Sequence, residues 1–136
     1  MKKEDLIPNK STEIGVAVVK EIGDTGEEEW NVYLLNFRNE LITTVLVSSK
    51  GYLKNEMGDT IKTSMLRHYF EAIDGNDYRK IEPIDPAVFK LNNEYWVSFY
   101  SGKDLLDRKF IFIPESIKEE NFSYIKMIDK KGVLIK

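Results

Sequence analysis

Apolar and polar residues alternate with a period of two over residues 29–49. The two apolar sets are Trp30, Val32 and Leu34 before the turn-forming run 38–40, and Leu41, Val45 and Val47 after it. A period of two is typical of β-strands. This stretch therefore predicts two strands paired as a hairpin. The same alternation recurs through the rest of the sequence, which predicts a β-rich globular domain.

Further short strands are predicted between clear turn signals. They cover residues 13–22, 60–73, 78–84, 95–100, 105–113, 124–128 and 133–135. Pro83 favours an edge position for its strand, and the turn residues at 101–104 predict a second hairpin. Residues 65–72 are equally compatible with a helix. Asp85 followed by Pro86 predicts one helical turn, and a capping box at 116–119 predicts another.

About seven or eight strands with little helix predict an all-β fold. The expected architecture is an antiparallel immunoglobulin-like β-sandwich with one or two short helical turns. Residues 1–12 are polar and contain Pro8, so we interpret them as an N-terminal tail. Residues 13–136 contain no linker, fixed-period repeat or low-complexity segment, which predicts a single β-sandwich domain.

Composition weighs against several classes of protein. The net charge of −3 is unfavourable for a general nucleic-acid binder, because such affinity comes mainly from neutralising phosphates. The chain has no cysteine, so disulfides, thiolate nucleophiles and zinc–thiolate sites are excluded. No apolar run could span a bilayer, and no apolar signal segment follows Lys2 and Lys3. We expect a cytoplasmic protein without a membrane partner.

Four segments resemble a group of small uncharacterised bacterial proteins of Bacteroidetes-type genomes. They are WNVYLLN at 30–36, KLNNEY at 90–95, KFIF at 109–112 and KGVLIK at 131–136. Some members of the group carry the label phenylalanyl-tRNA synthetase alpha subunit. A class II synthetase domain is much larger and needs motif arginines around an ATP site, and the four arginines here have no such context. The resemblance implies a bacterial β domain and does not support the synthetase label.

The sequence contains no motif for catalysis, metal binding or phosphate binding. His68 is the single histidine, and no nucleophile motif accompanies it, so we interpret it as a structural or surface residue. The acidic runs at 24–29 and 74–77 contain oxygen ligands that calcium accepts, but such runs are also common as solvated turns. We therefore expect no cofactor, no metal and no enzymatic activity.

An excess of aromatic residues marks a candidate interaction surface. In the strand at 95–100 the odd-numbered and the even-numbered positions both carry apolar or aromatic residues, so both faces of the strand are apolar. The same holds at 30–37. A sandwich strand normally leaves one face in water, so the second face requires a cover. That cover is either the loop 51–59 or the helix 115–121 of the same chain, or another subunit. We assign Tyr33, Trp96 and Tyr100 to this surface.

Three hypotheses for function follow. The first is a protein-interaction domain with a protein partner or a second copy of itself, which a flat apolar patch repeated across a two-fold axis would support. The second is a small-molecule or carbohydrate-binding domain, which concave geometry around Trp96 would support. The third is an RNA- or tRNA-associated module with a weak basic patch of Lys126, Lys130 and Lys131, which a continuous positive stripe would support.

Overall fold

The computed structural model describes residues 13–136, and the predicted tail at 1–12 lies outside them. Ten strands form two antiparallel sheets, so the predicted all-β sandwich is confirmed. The strands are β1 (Ile14–Ile22), β2 (Glu28–Asn36), β3 (Ile42–Lys54), β4 (Thr60–Lys62), β5 (Leu66–Ile73), β6 (Asp77–Pro83), β7 (Asn92–Ser101), β8 (Asp104–Phe112), β9 (Ser123–Ile125) and β10 (Lys130–Ile135). Ten strands exceed the predicted seven or eight, partly because the predicted strand 60–73 divides into β4 and β5.

Sheet 1 has the strand order β6-β2-β1-β10-β9, and sheet 2 has the order β4-β3-β7-β8 with β5 also paired to β3. In sheet 1, Val18 lies opposite both Val32 and Val133. In sheet 2, Val47 lies opposite Val97 and His68. The long strand β3 thus pairs along one edge with β7 and along the other with β4 and β5.

The hydrophobic core lies between the two sheets. Sheet 1 contributes Val16, Val18, Val32 and Leu34, and sheet 2 contributes Val45, Val47, Val97, Phe99, Phe110 and Phe112, each no more than 1% exposed. Burying a side chain of this kind stabilises the fold by about 1.5–3 kcal/mol. In each strand these residues occupy every second position of the alternating pattern, and that set of positions faces the core.

The predicted hairpin between 30–37 and 41–49 is wrong. β2 belongs to sheet 1 and β3 to sheet 2, so the chain crosses the sandwich between them. Asn36 is fully buried and holds this crossing, because its Nδ2 donates hydrogen bonds to the carbonyl oxygens of Glu40 at 2.9 Å and Asp74 at 3.1 Å. Asp74 belongs to the crossing from β5 to β6, and the two crossings therefore pack together.

Several other local predictions are confirmed. β7 and β8 form a hairpin, β6 is an edge strand, and residues 65–72 lie largely in strand β5 rather than in a helix. The turn Pro86–Val88 is a 3₁₀ helix, capped by Asp85 Oδ1, which accepts the Ala87 N–H at 2.9 Å. Pro86 suits the first position because it lacks the N–H that would be unpaired there.

Two boundaries near the C-terminal side differ from prediction. The helical turn expected from Ser116 is the 3₁₀ helix Glu119–Asn121, because the Ser116 hydroxyl donates to the Ile113 carbonyl at 2.6 Å and does not cap a helix. β9 and β10 do pair, but through residues 130–132, which were predicted as the turn, whereas residues 133–135 pair with β1. Their connection is the 3₁₀ helix Lys126–Ile128, which occupies part of the predicted strand 124–128.

Candidate functional site

The outer face of sheet 1 is covered by the chain itself. Ala17, Val19, Tyr33 and Leu35 form its apolar cluster, and Ile125 and Ile128 pack over them. The predicted covers at 51–59 and 115–121 are therefore wrong for this face, and the segment 125–128 does the covering. Tyr33 is 8% exposed, and its hydroxyl donates to Glu21 Oε2 at 2.6 Å. Burial and this hydrogen bond raise the pKa of Tyr33 above its ordinary value.

The outer face of sheet 2 is exposed. Six large apolar or aromatic side chains project from it with 37–59% of their surface accessible: Leu46, Tyr69, Trp96, Tyr100, Leu105 and Ile111. We call these six residues the outer patch. Their strands are neighbours, since Leu46 lies opposite Tyr69 and Tyr100 lies opposite Leu105. Exposed apolar surface on one face of a sheet is a candidate interaction site on a soluble protein.

A hollow of about 240 Å³ lies in the outer patch beside Trp96. Its walls include Leu46, Arg67 and Trp96, and its floor includes Ser48 and Ser98. Ser48 lies directly opposite Trp96 in the sheet, so the hollow exists because small side chains alternate with large ones. The hollow combines apolar walls with two hydroxyl groups.

Lys109 contacts the same tryptophan from the neighbouring strand. Its Nζ lies 4.8 Å from the ring centroid of Trp96, within the range of a cation–π contact. Lys109 and Trp96 are directly opposite each other in β8 and β7. A positive charge therefore lies beside Trp96 on the outer face of sheet 2.

A second polar constellation lies inside the sandwich, around Glu82 of β6. The Glu82 side chain is 10% exposed and accepts hydrogen bonds from Ser49 Oγ at 2.9 Å, His68 Nε2 at 2.7 Å and Tyr95 Oη at 3.0 Å. These three residues belong to sheet 2. A buried carboxylate requires such donors to replace water, so the cluster links the two sheets.

The hydrogen-bond order of the cluster does not match a nucleophilic triad. In a triad, histidine stands between the serine and the acid. Here Ser49 bonds directly to Glu82 and shares its hydroxyl proton between the two carboxylate oxygens, one of which also contacts His68 and the other Tyr95. Burial, with the negative charge of Glu82, raises the pKa of Tyr95 and holds the phenol in its neutral, donating form. The cluster is therefore a hydrogen-bonded polar network in which His68 contacts Glu82.

A β-bulge in β6 explains why the alternating pattern does not predict the buried position of Glu82. Val32 lies opposite Glu82, but the next residue, Tyr33, lies opposite Lys80. The extra residue is Ile81, and a bulge of this kind breaks strict alternation. Ile81 is buried in the core, and Glu82 faces the interior as well. Alternation alone would assign the two neighbours to opposite faces.

The predicted surface residues divide between the two sheets. Trp96 and Tyr100 lie together in the outer patch, whereas Tyr33 is buried on the outer face of sheet 1. The sequence did not predict the other four members, because their membership depends on which strands are neighbours: Leu46, Tyr69, Leu105 and Ile111. Alternation within a strand shows which of its residues point outward. The order of strands in the sheet determines which outward residues become neighbours.

The predicted basic residues do not form a continuous stripe. Lys130 and Lys131 are consecutive in β10, so their side chains project from opposite faces of sheet 1. Lys130 Nζ lies 3.3 Å from Glu21 Oε1, which neutralises part of its charge. Lys126 lies in the 3₁₀ turn and is exposed.

Within residues 13–136, no group of three or more His, Asp or Glu side chains is arranged to hold a metal ion. The same part of the chain has no helix with the length and apolarity needed to cross a bilayer. Comparison with protein-family models, curated proteins and solved structures finds no match to this chain.

Proposed function

We propose that this protein is a non-enzymatic interaction domain that binds another protein through the outer patch. The observation that carries the proposal is the contrast between the two outer faces. Sheet 1 buries its second apolar face under residues 125–128, whereas the outer patch of sheet 2 stays exposed. Aromatic residues at the centre of an interface commonly supply most of its binding energy. Trp96, beside the hollow, is the expected centre.

The size of the hollow favours a side chain of a protein partner. Pockets for small molecules usually have volumes of about 300–1,000 Å³, and the hollow has about 240 Å³. A single leucine, phenylalanine or tyrosine from a partner fits such a space. Lys109 already lies over one face of the Trp96 ring, which leaves a single face on which a sugar ring could stack. The geometry therefore supports a protein partner above a carbohydrate.

The second candidate function is small-molecule or carbohydrate binding in the same hollow. Concave geometry beside Trp96 supports it, and Ser48 and Ser98 provide hydroxyl groups for hydrogen bonds. An RNA-associated role has less support, because the basic residues 126, 130 and 131 do not form a stripe.

We further propose an immunoglobulin-like topology and a cytoplasmic, bacterial setting. The neighbours β1-β2-β6 correspond to strands A, B and E of that fold, and β3-β7-β8 correspond to C, F and G. β9 and β10 then extend the first sheet beyond β1. The absence of cysteine from the sequence supports a reducing compartment, and the resemblance to bacterial proteins supports the setting.

The test is Trp96→Ala, with Tyr124→Ala as the matched control. Tyr124 is an exposed aromatic residue of β9, in sheet 1. Tagged wild-type and variant proteins are recovered from the native cell, and the captured proteins are quantified by mass spectrometry. We expect Trp96→Ala to weaken capture by at least about 2 kcal/mol, the hot-spot range, and Tyr124→Ala to leave it unchanged.

Two results would contradict the interaction proposal. One is equal capture by wild type and Trp96→Ala. The other is saturable binding of a glycan or metabolite that Trp96→Ala abolishes, with no protein partner recovered, which would establish the second candidate. The free energy of unfolding of each variant is measured in parallel, so that loss of binding is not confused with loss of fold.

A further inference from the structure

Strand β8 is an open edge of sheet 2. Among the described residues it pairs with β7 alone. The other edges are less accessible to pairing: β6 carries Pro83, β9 has three residues, and Arg79 Nη2 donates to the Ala72 carbonyl on β5 at 3.3 Å. An edge strand presents unpaired N–H and C=O groups, which can pair with another strand. With nine residues, β8 is the longest such edge.

The outward side chains of β8 form a self-complementary series. They are Leu105, Asp107, Lys109 and Ile111, all exposed, and they read apolar, acidic, basic, apolar. If the strand is reversed, the apolar ends meet and the acid meets the base. Charges on an edge strand normally discourage pairing, but this series permits pairing with an antiparallel copy of itself.

One register satisfies all four residues. A continuous sheet keeps outward residues opposite outward residues, so the two-fold axis must pass through a residue. An axis at Arg108 sets Leu105 against Ile111 of the second copy and Asp107 against Lys109 of the second copy. An axis at Asp107 would oppose two aspartates, and an axis at Lys109 would oppose two lysines. Like charges directly opposite destabilise a sheet.

We propose that two copies of this chain pair antiparallel through β8, with the two-fold axis at Arg108. This inference goes beyond the proposed function, because it adds a second copy of the chain as a partner at the edge of sheet 2. Pairing makes sheet 2 continuous across the two copies. Because Leu105 and Ile111 belong to the outer patch, the two patches join into one surface across the axis.

In this register Arg108 lies directly opposite Arg108 of the second copy. Both side chains are on the inner face of sheet 2. The Arg108 guanidinium is directed into its own protomer, where it lies 4.6 Å from the ring centroid of Phe110 and its Nη2 donates to the Lys136 carbonyl at 2.9 Å. These contacts draw the charge away from the axis. The repulsion between the two guanidinium groups is therefore reduced, and the Asp107–Lys109 pairs, which occur twice, determine the register.

The experiment is a charge swap read out by sedimentation equilibrium at several protein concentrations. Asp107→Lys sets lysine against Lys109 of the second copy, and Lys109→Asp sets aspartate against Asp107. We expect each single variant to raise the dimer Kd at least about tenfold. The double variant Asp107→Lys with Lys109→Asp restores complementary pairs, and we expect it to recover most of the wild-type affinity. Urea unfolding checks that all three variants fold.

Rescue by the double variant is the decisive result, since a merely structural role of either residue does not predict it. The proposal is overturned if the wild-type chain sediments as a monomer throughout, if the single variants dimerise like wild type, or if the double variant remains as weak as the singles. Trp96 lies in β7, outside the paired strand. A monomeric chain whose partner capture still depends on Trp96 would overturn the β8 dimer and leave the proposed function standing.

Discussion

Tyr95 of sheet 2 donates a 3.0 Å hydrogen bond to Glu82 of sheet 1 across the interior of the sandwich. Ser49 and His68 complete the coordination of the same carboxylate. A buried charge is strongly unfavourable unless donors replace its water. This network therefore fixes which face of β6 can approach sheet 2, since a reversed strand would leave three donors and a carboxylate unpaired.

Glu82→Ala should destabilise the fold substantially. The substitution leaves the buried hydroxyl of Tyr95 without its acceptor and removes hydrogen bonds to a charged group, each of which contributes about 1.5–3 kcal/mol. We expect the free energy of unfolding, measured by urea denaturation, to fall by about 3 kcal/mol or more. Glu71→Ala, on the exposed side of β5, is the control and should change it by no more than about 0.5 kcal/mol. Equal effects would show that the network contributes nothing.

Stability should decrease at alkaline pH through Tyr95. Burial, with the charge of Glu82 and the hydrogen bond to it, raises the pKa of Tyr95 in the folded state. The folded protein keeps the phenolic proton that the unfolded chain releases above about pH 10. The contribution of Tyr95 is therefore complete below that pH and declines above it, by up to about 1.4 kcal/mol per pH unit.

Tyr95→Phe removes this ionisation. Its free energy of unfolding should fall less steeply than that of wild type when urea titrations at about pH 9 and about pH 11 are compared, since one fewer proton is released on unfolding. Tyr33, whose pKa is also raised, provides alkaline sensitivity that both proteins share. Parallel pH profiles for the two proteins would refute the assignment.

Tyr33→Ala should destabilise the fold much more than Trp96→Ala. Tyr33 is buried under Ile125 and Ile128, so its removal should lower the free energy of unfolding by about 3–5 kcal/mol, as for a large aromatic residue in a core. Trp96 is 45% exposed, and its removal should cost no more than about 1.5 kcal/mol. Thermal and urea unfolding of both variants give the comparison, and a larger loss for Trp96→Ala would mean that the outer patch is a folding determinant.

Gly75→Ala should loosen the contact between the two crossings. A Cβ at Gly75 would lie 2.5 Å from the backbone carbonyl carbon of Asn39 and 2.8 Å from the Arg38 carbonyl oxygen. Backbone cannot move aside as a side chain does, so we expect a loss of about 1–3 kcal/mol in unfolding free energy. At Gly23 the close atoms belong to the flexible carboxylate of Glu29. Gly23→Ala should therefore be nearly neutral, and similar losses for both would contradict the packing argument.

The β7–β8 hairpin was predictable because its information is local. Two alternating segments flank a short turn in which Gly102 adopts a positive φ of 60°, and nearby segments joined in this way usually pair. The edge position of β6 was predictable for a similar reason, since Pro83 removes a donor from the strand. Each inference required only neighbouring residues.

The crossing between β2 and β3 was not predictable from alternation. A pattern of period two identifies a strand and its buried face, but it does not identify the sheet that the strand joins. Here the crossing depends on Asn36, whose amide donates to Asp74 in a distant segment. The same reason separates Tyr33 from Trp96 and places Glu82 inside, since the sheet order and the bulge at Ile81 arise from tertiary pairing.

The position of β1 between β2 and β10 has a consequence for how the chain folds. β1 lies near the start of the described chain and β10 at its end, so Val16 meets Ile135 only after nearly all other residues have been placed. Contacts of such high sequence separation slow folding, because the loop-closure entropy is lost before the contact forms. During synthesis β1 emerges before β10 and keeps one side unpaired until β10 has been made. We expect sheet 1 to close as a late step of folding, and a ribosome-bound chain lacking residues 130–135 to expose a hydrophobic strand to chaperones.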